Sequence, residues 1–177
     1  MKLKNLIKPL VDIKLVGNGN VDIIGMEYDS RRVKPGMLFA AITGYRQDGK
    51  EFIDDAIKNG AVAILSDSEI ECSVPLVVVE SVRKALANMA AKFYDYPGQK
   101  LKVIGVTGTN GKSTTVYLIR KILEMSGIKA GMVNSLVYDT TIDQFKAERT
   151  TPDSVEMQFY LSEMVKAKCE YAVIEVS

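Results

Sequence analysis

The amino-acid sequence lacks histidine altogether and contains only two cysteines, Cys72 and Cys169, among its 177 residues. Without histidine, the chain has no base for Ser-His-Asp or Cys-His catalysis. Two cysteines far apart in sequence, with no histidine to share a metal, argue against a zinc site and against a disulfide framework. This composition fits a protein of the reducing cytosol.

The sequence also lacks an excess of charge and any targeting or membrane segment. Lysine and arginine number 23 and aspartate and glutamate 22, so the net charge of +1 does not call for a nucleic acid or an anionic membrane as partner. Lysines interrupt the apolar residues of the N-terminus, and no apolar run approaches the roughly 20 residues of a membrane span. Because 47% of the residues are hydrophobic, we expect a folded chain with a packed core. Without a targeting or membrane segment, we expect this protein to be cytoplasmic, not inserted in a membrane, and monomeric.

The chain divides into two blocks at Pro97-Gly98, where a helical pattern gives way to a strand pattern. The first block, residues 1–97, is predicted to mix short strands with helices. Apolar runs predict strands at residues 37–42, 61–65 and 76–79, and apolar residues at helical spacing predict helices at residues 51–59 and about 86–93.

The second block, residues 98–177, has the order of elements that is typical of a parallel α/β fold. A strand at residues 102–106 is followed by a glycine-rich turn and a helix that ends at Gly127, and later strands are predicted at 131–133 and 171–177. Between these last two strands a helix is predicted to begin at Thr151-Pro152-Asp153, with Thr151 as its N-cap. A buried parallel strand is normally followed by a loop and a covering helix, and its carboxyl end is where ligands bind. The chain stops at that end of the strand predicted at 171–177, so we expect the second domain to be incomplete in this chain.

The strongest functional signal is the turn in the second block, Gly-Val-Thr-Gly-Thr-Asn-Gly-Lys-Ser-Thr at residues 105–114. Glycines let the backbone turn tightly and direct its N–H groups at phosphate oxygens, and the following helix adds its positive dipole end. Lys112 can reach the β- and γ-phosphates, and the Ser113 hydroxyl can bind Mg²⁺. The spacing departs from the common Walker A pattern, which has glycine where Val106 stands. The alternative is a turn that binds nothing, for which Gly-Lys-Ser between a strand and a helix would be a poor choice.

This loop resembles the ATP loop of the Mur ligases and of their relatives, the folylpolyglutamate and cyanophycin synthetases. Residues 29–39, with Asp-Ser-Arg and Pro-Gly-Met-Leu-Phe, and residues 44–52 resemble the N-terminal domain of the Mur ligases. Thr150-Thr151-Pro152-Asp153 and Glu175-Val176-Ser177 resemble the substrate and metal motifs of the family members that add the third amino acid to a UDP-muramoyl peptide. The resemblance covers nearly the whole chain, in the right order.

The resemblance implies an α/β fold in which a small mixed α/β domain for the UDP-muramoyl substrate, at residues 1–97, precedes the first part of a P-loop ATPase domain with a parallel sheet, at residues 98–177. It implies a site for ATP at Gly108, Thr109, Asn110, Gly111, Lys112, Ser113 and Thr114. It implies contacts to the UDP-linked substrate from Ser30, Tyr45, Arg46, Gln47, Thr150, Thr151 and Ser177, although Tyr45 stands where the family often has histidine. Glu175 would hold Mg²⁺ together with Ser113, and Lys112 and Glu175 are the predicted catalytic residues.

The activity implied is that of an ATP-dependent amide ligase of peptidoglycan precursor synthesis. Its partners would be a UDP-N-acetylmuramoyl dipeptide, ending in D-glutamate, and a diamino acid, joined through an acyl phosphate. The family's carbamylated lysine and its C-terminal domain lie outside these 177 residues. We therefore expect this chain to bind nucleotide weakly and not to turn over by itself.

Each motif also has a plainer explanation, and the function has alternatives. Asp29-Ser30-Arg31 suits an ordinary turn, Thr151-Pro152-Asp153 suits a helix start, and Glu175 suits a solvated strand end. The alternative functions are a ligase of another Mur type or of the folylpolyglutamate type, a P-loop switch that hydrolyses nucleotide, and a non-catalytic nucleotide-binding module. The sequence leaves the identity of the diamino acid open.

Overall fold

The computed structural model describes residues 1–44 and 47–177, and the chain divides into two compact units, Met1–Phe93 and Tyr94–Ser177. The sequence predicts this division between residues 97 and 98. The structure assigns Tyr94 to the second unit because its ring packs edge-on against Phe159, with the ring centroids 6.1 Å apart. The short 3-10 turn Pro97–Gln99 packs on the same helix as Tyr94 does.

The first unit is a five-stranded sheet covered by short helices. Its elements in chain order are α1 (Leu3–Leu6), β1 (Lys14–Val16), β2 (Gly25–Glu27), β3 (Met37–Ala40), α2 (Ile53–Lys58), β4 (Ala63–Ser66), β5 (Leu76–Val78) and α3 (Val82–Phe93). The strands lie in the order β1-β5-β4-β3-β2, with β2 to β5 parallel and β1 antiparallel at the edge. All of β4 is buried, which explains why its first three residues are apolar and show no alternation with polar residues.

The predicted helix at residues 51–59 is shorter in the structure. A 3-10 turn, Gly49–Phe52, precedes α2 because the Asp48 side chain accepts a hydrogen bond from the Lys50 backbone N–H. A second 3-10 turn, Ser30–Arg32, begins at Asp29 in the same way. Both turns therefore start at an aspartate that bonds to the backbone two residues ahead.

The second unit has the parallel strands that the sequence predicts and an additional antiparallel hairpin. Its elements are β6 (Lys102–Val106), α4 (Lys112–Met125), β7 (Ala130–Val133), β8 (Val137–Asp139), β9 (Gln144–Lys146), α5 (Ser154–Lys166) and β10 (Tyr171–Glu175). The strand order is β6-β10-β7-β8-β9, with β10 parallel to both β6 and β7. The predicted α/β class is confirmed, and the hairpin β8–β9 makes this sheet mixed.

The start of α5 corrects one prediction. Asp153, and not Thr151, is the N-cap, because its carboxylate accepts hydrogen bonds from the backbone N–H groups of Val155 and Glu156. The Thr151 hydroxyl instead donates to the backbone carbonyl of Glu175, at 3.0 Å. Thr151 therefore joins the segment before α5 to the end of β10.

A buried ion pair holds the hairpin β8–β9 against α4. Arg120 Nη1 lies 3.0 Å from Asp139 Oδ2, and the Asp139 side chain is 4% exposed. The Asp139 carboxylate also accepts hydrogen bonds from the Thr141 backbone N–H and from Gln144 Nε2. Because charges in a protein interior are stable only when paired, this contact fixes α4 relative to β8.

Each unit contains one free cysteine. Cys72 of the first unit is half-buried, and Cys169 of the second is buried with its Sγ 3.4 Å from Thr141 Oγ1. Within residues 1–44 and 47–177, no helix combines the length and the apolar character needed to cross a membrane.

Candidate functional site

The turn at residues 107–111 joins the end of β6 to the start of α4, as predicted. Gly108 and Gly111 have φ values of +146° and +78°, which L-residues with side chains rarely adopt. A Cβ built at either glycine would meet no atom within 4 Å, so backbone conformation and not crowding calls for glycine here. The loop is exposed and lies at the N-terminal end of a 14-residue helix, where an anion is favoured by the helix dipole.

Lys112, the first residue of α4, folds its ammonium back across this loop. Lys112 Nζ donates to the backbone carbonyls of Gly108, at 2.9 Å, and Thr109, at 3.4 Å. In the part of the chain that the structure describes, no carboxylate forms an ion pair with Lys112. Its positive charge is therefore available to a phosphate that enters the loop.

Ser113 and Glu175, which are 62 residues apart in sequence, meet beside this loop. The parallel register places Glu175 opposite Val106, and the Ser113 hydroxyl donates to Glu175 Oε2 at 2.8 Å. The same carboxylate oxygen accepts a hydrogen bond from the Ser135 backbone N–H at 3.0 Å, and the Ser135 Oγ lies 2.8 Å from Ser113 Oγ. The structure thus brings together the two residues that the sequence predicts as Mg²⁺ ligands.

The surroundings of Glu175 fit a divalent cation. Glu175 is only 3% exposed, and within the described residues no lysine or arginine pairs with it. Buried carboxylates are normally paired with a cation or bound to a metal, and Mg²⁺ prefers oxygen ligands. Residues 1–44 and 47–177 contain no group of three or more His, Cys, Asp and Glu side chains suited to a metal. One carboxylate and one hydroxyl match the way Mg²⁺ binds when water and nucleotide phosphates complete its coordination.

Ser135 was missed by the sequence-based prediction, although a signal for it existed. It follows β7, and the carboxyl ends of the parallel strands β6, β10 and β7 lie at one edge of the sheet. Asn134, which is 2% exposed, shapes this loop because its Oδ1 accepts hydrogen bonds from the backbone N–H groups of Leu136 and Val137. A polar pair after the predicted strand 131–133 would have pointed to this edge.

Thr151 and Ser177, two of the predicted substrate residues, lie next to Glu175. Thr151 Oγ1 accepts a hydrogen bond from the Ser177 backbone N–H at 2.9 Å and lies 3.1 Å from Ser177 Oγ. Thr150, which precedes them, is half-buried, and in the described part of the chain its side chain forms no hydrogen bond. The glycine turn at residues 107–111, the Glu175 carboxylate and the Thr151–Ser177 pair therefore lie at one edge of the second sheet.

The remaining predicted substrate residues belong to the first unit. Ser30 and Gln47 both line a cleft of about 470 Å³, whose other lining residues are Tyr28, Asp29, Arg31, Phe52 and Asp55. Tyr45 and Arg46, also predicted to contact UDP, lie outside the described residues.

The cleft wall at Ser30 is fixed from both sides. The Asn59 side chain donates to the Ser30 carbonyl at 2.9 Å, and the Asp29 carboxylate accepts from the Arg31 backbone N–H at 3.1 Å. The hydrogen bond from the Arg31 guanidinium keeps the pKa of Asp29 below its usual value, so this carboxylate stays charged in mildly acidic solution. Asn59 was predicted only as a helix end, and its bond to Ser30 has no signal in the sequence.

Comparison with known proteins gives matches for both units. Residues 22–94 match the family model described as Mur ligase family, catalytic domain, and residues 106–177 match the one described as Mur ligase middle domain. The chain is 43% identical over 180 residues to the UDP-N-acetylmuramoyl-L-alanyl-D-glutamate--2,6-diaminopimelate ligase 1 of Clostridium acetobutylicum. It is 42% identical over 179 residues to the corresponding ligase of Caldanaerobacter subterraneus. Each alignment covers all of this chain and 37% of the relative, so the chain spans a little over a third of the length of these relatives.

Solved structures agree with these matches. A UDP-N-acetylmuramoyl-L-alanyl-D-glutamate--2,6-diaminopimelate ligase superposes with a TM-score of 0.75 at 25% identity, over 100% of this chain and 36% of that one. A MurF ligase from Thermotoga maritima, solved in complex with ADP, superposes with a TM-score of 0.57 at 29% identity, over 85% of this chain and 31% of that one.

Proposed function

Since the chain belongs to the Mur ligase family, we propose that it is the substrate- and nucleotide-binding part of a ligase that adds a diamino acid to UDP-N-acetylmuramoyl-L-alanyl-D-glutamate. The single observation that carries the proposal is the contact between Ser113 and Glu175 beside a glycine loop whose Lys112 has no carboxylate partner among the described residues. The names of the relatives at 43% and 42% identity support this substrate, and they favour 2,6-diaminopimelate as the incoming amino acid. The proposed cellular location is the cytoplasm.

ATP is the proposed energy source and Mg²⁺ the proposed metal. Support for ATP comes from the positive-φ glycines, from the Lys112 ammonium, which forms no ion pair within residues 1–44 and 47–177, and from the ADP complex of a related ligase. Support for Mg²⁺ comes from the oxygen pair of Ser113 and Glu175 and from the lack of a cationic partner for Glu175 among the described residues. When bound, Mg²⁺ would withdraw charge from the phosphate oxygens.

The proposed reaction has two steps. An oxygen of the D-glutamyl carboxylate attacks the γ-phosphorus of ATP, the bond to the bridging oxygen breaks, and ADP leaves an acyl phosphate behind. The amine of the diamino acid then attacks the acyl carbon, loses a proton and expels inorganic phosphate, so that an amide forms. The phosphoryl group needs positive charge and orientation more than covalent assistance.

This chain contributes charge and orientation to the first step. Lys112 would leave the carbonyls of Gly108 and Thr109 to bind phosphate oxygens, since a charged partner gives a stronger hydrogen bond than a carbonyl does. Ser113 and Glu175 would hold the metal. Thr150, with its side chain unoccupied within the described residues, would bind the UDP-linked substrate at the same sheet edge.

An assay of ADP release by the ligase that contains this sequence tests the proposal. ADP should appear only when UDP-N-acetylmuramoyl-L-alanyl-D-glutamate and 2,6-diaminopimelate are both present. Lysine is tested in place of 2,6-diaminopimelate as the alternative amino acid. The likeness to MurF structures supplies the control reaction, the UDP-linked tripeptide with D-alanyl-D-alanine. Turnover in that control alone would replace the proposed reaction by the MurF reaction, and ADP release without any amino acid would indicate a nucleotide hydrolase.

A further inference from the structure

We propose that Tyr138 is a positioning residue for the segment that binds the UDP-linked substrate. Tyr138 lies on β8, is 2% exposed, and is not itself a predicted site residue. Its hydroxyl donates to the backbone carbonyl of Arg149 at 2.6 Å and accepts from the backbone N–H of Arg149 at 3.1 Å. One buried hydroxyl therefore satisfies both backbone groups of the residue immediately before Thr150. The proposal rests on the proposed function, since it assumes that Thr150 meets the substrate.

Thr150 lies between two anchored residues. On one side, the Tyr138 hydroxyl holds Arg149; on the other, the Thr151 hydroxyl donates to the Glu175 carbonyl and accepts from the Ser177 backbone N–H. Each anchor is a side-chain hydroxyl that both donates to and accepts from backbone groups. Thr150 is the residue of this run whose side chain has no protein partner within the described residues, and its location is set by its two neighbours.

The ring that carries the Tyr138 hydroxyl is itself immobilised. Its centroid lies 4.8 Å from that of Tyr160, and in the strand register Tyr138 stands opposite Val133 on one side and Phe145 on the other. Aromatic pairs at this separation and cross-strand neighbours of this kind each stabilise a fixed ring position. The hydroxyl thus reaches Arg149 from a rigid platform.

The same strand also connects to the phosphate loop. Asp139, next to Tyr138, forms the buried ion pair with Arg120 of α4, and α4 begins at Lys112 and Ser113. β8 therefore contacts α4, the helix after the phosphate loop, through Asp139, and it contacts the segment before Thr150 through Tyr138. Such an arrangement fixes the distance between Thr150 and the loop, which a reaction between two bound substrates requires.

The test is the substitution Tyr138→Phe in the ligase that contains this sequence, with Tyr160→Phe as the matched control. Both changes remove one phenolic oxygen from the same aromatic cluster, but in the described part of the chain the Tyr160 hydroxyl forms no hydrogen bond. Tyr138→Phe should raise the KM for the UDP-muramoyl dipeptide by about tenfold, the worth of one hydrogen bond, and leave the KM for ATP unchanged. Tyr160→Phe should change neither.

A KM split of this kind separates positioning from stability. Partial unfolding lowers the concentration of active enzyme and hence kcat, but it does not raise the KM for one substrate alone. If Tyr138→Phe lowers only kcat together with Tm, or shifts both KM values equally, Tyr138 is merely structural and the proposal is wrong. If the unaltered ligase fails to use the UDP-muramoyl dipeptide, the proposed function is refuted, and the role of Tyr138 falls with it.

Discussion

Glu175→Gln should separate binding from stability, because the native carboxylate is buried and no lysine or arginine among residues 1–44 and 47–177 pairs with it. Its Oε2 accepts hydrogen bonds from the Ser113 hydroxyl and the Ser135 N–H, and the amide oxygen of glutamine can accept the same two. A hydrogen bond to a charged group contributes about 1 kcal/mol more than one to a neutral group, so the change should cost about 2 kcal/mol for the two bonds. Removing a buried charge should return several kcal/mol of desolvation cost. We expect the metal-free second unit of the variant to be more stable by about 1–3 kcal/mol.

The same substitution should weaken binding of ADP with Mg²⁺. Residues that only support metal ligands change metal affinity by about 10–100-fold when mutated, so loss of a ligand charge should cost at least about tenfold. The assays are urea unfolding of this chain, followed through the amide NMR signals of β10, and titration of ADP at several Mg²⁺ concentrations. Glu170→Gln is the control, since Glu170 is an exposed carboxylate immediately before β10. A variant that unfolds at lower urea than the native chain, or keeps its Mg²⁺ dependence, would refute the reasoning.

Three further predictions concern other parts of the site. In the proposed ligase that contains this sequence, Lys112→Ala should cut turnover by orders of magnitude with the fold intact. Lys112→Arg should restore little turnover, because guanidinium is larger than an ammonium and planar. Near-normal turnover of the alanine variant would show that the loop does not hold ATP. Titration of the first unit with millimolar UDP should shift the amide NMR signals of Ser30 and Gln47, and unchanged signals would rule out UDP binding in their cleft. Burial raises the pKa of Tyr160 to about 12, so between about pH 10 and pH 12 this phenol ionises readily only in the unfolded chain, and the free energy of unfolding should fall as pH rises through that range. Tyr160→Phe should remove this part of the fall, measured by urea unfolding at each pH, with phenolate absorbance as the titration signal.

The sequence predicts those elements best whose signal is local. The strand at residues 102–106 and the helix start at Lys112 agree with the structure, because an apolar run, a glycine turn and an apolar helix face follow one another directly. The hairpin β8–β9 has no such signal. Each of its strands has three residues, too few for an alternating pattern, and its support comes from Arg120 and from the ring of Tyr160, which are distant in sequence.

The candidate site shows the same limit. Ser113 and Glu175 could be placed together from sequence because parallel strands end at a common edge. The polar pair after the strand 131–133 indicates the sheet edge, but the contact with Glu175 is made by the Ser135 backbone N–H, a group that every residue except proline has, so the sequence does not predict this particular hydrogen bond. Thr151 was predicted as a helix cap because threonine suits that position, but the helix begins two residues later, where the charged Asp153 carboxylate accepts from the backbone N–H groups of Val155 and Glu156. The roles proposed for these residues in binding stay predictions.

The two free cysteines, one in each unit, allow local opening of the chain to be measured by thiol labelling. Cys72 is half-buried and should therefore react with a thiol reagent faster than Cys169, which is buried and screened until its surroundings in the second unit open. The slow phase of labelling therefore measures the opening of the second unit without any introduced probe. A ligand that binds only the closed form reduces the population that opens, so the proposed binding of nucleotide should lower the labelling rate of Cys169.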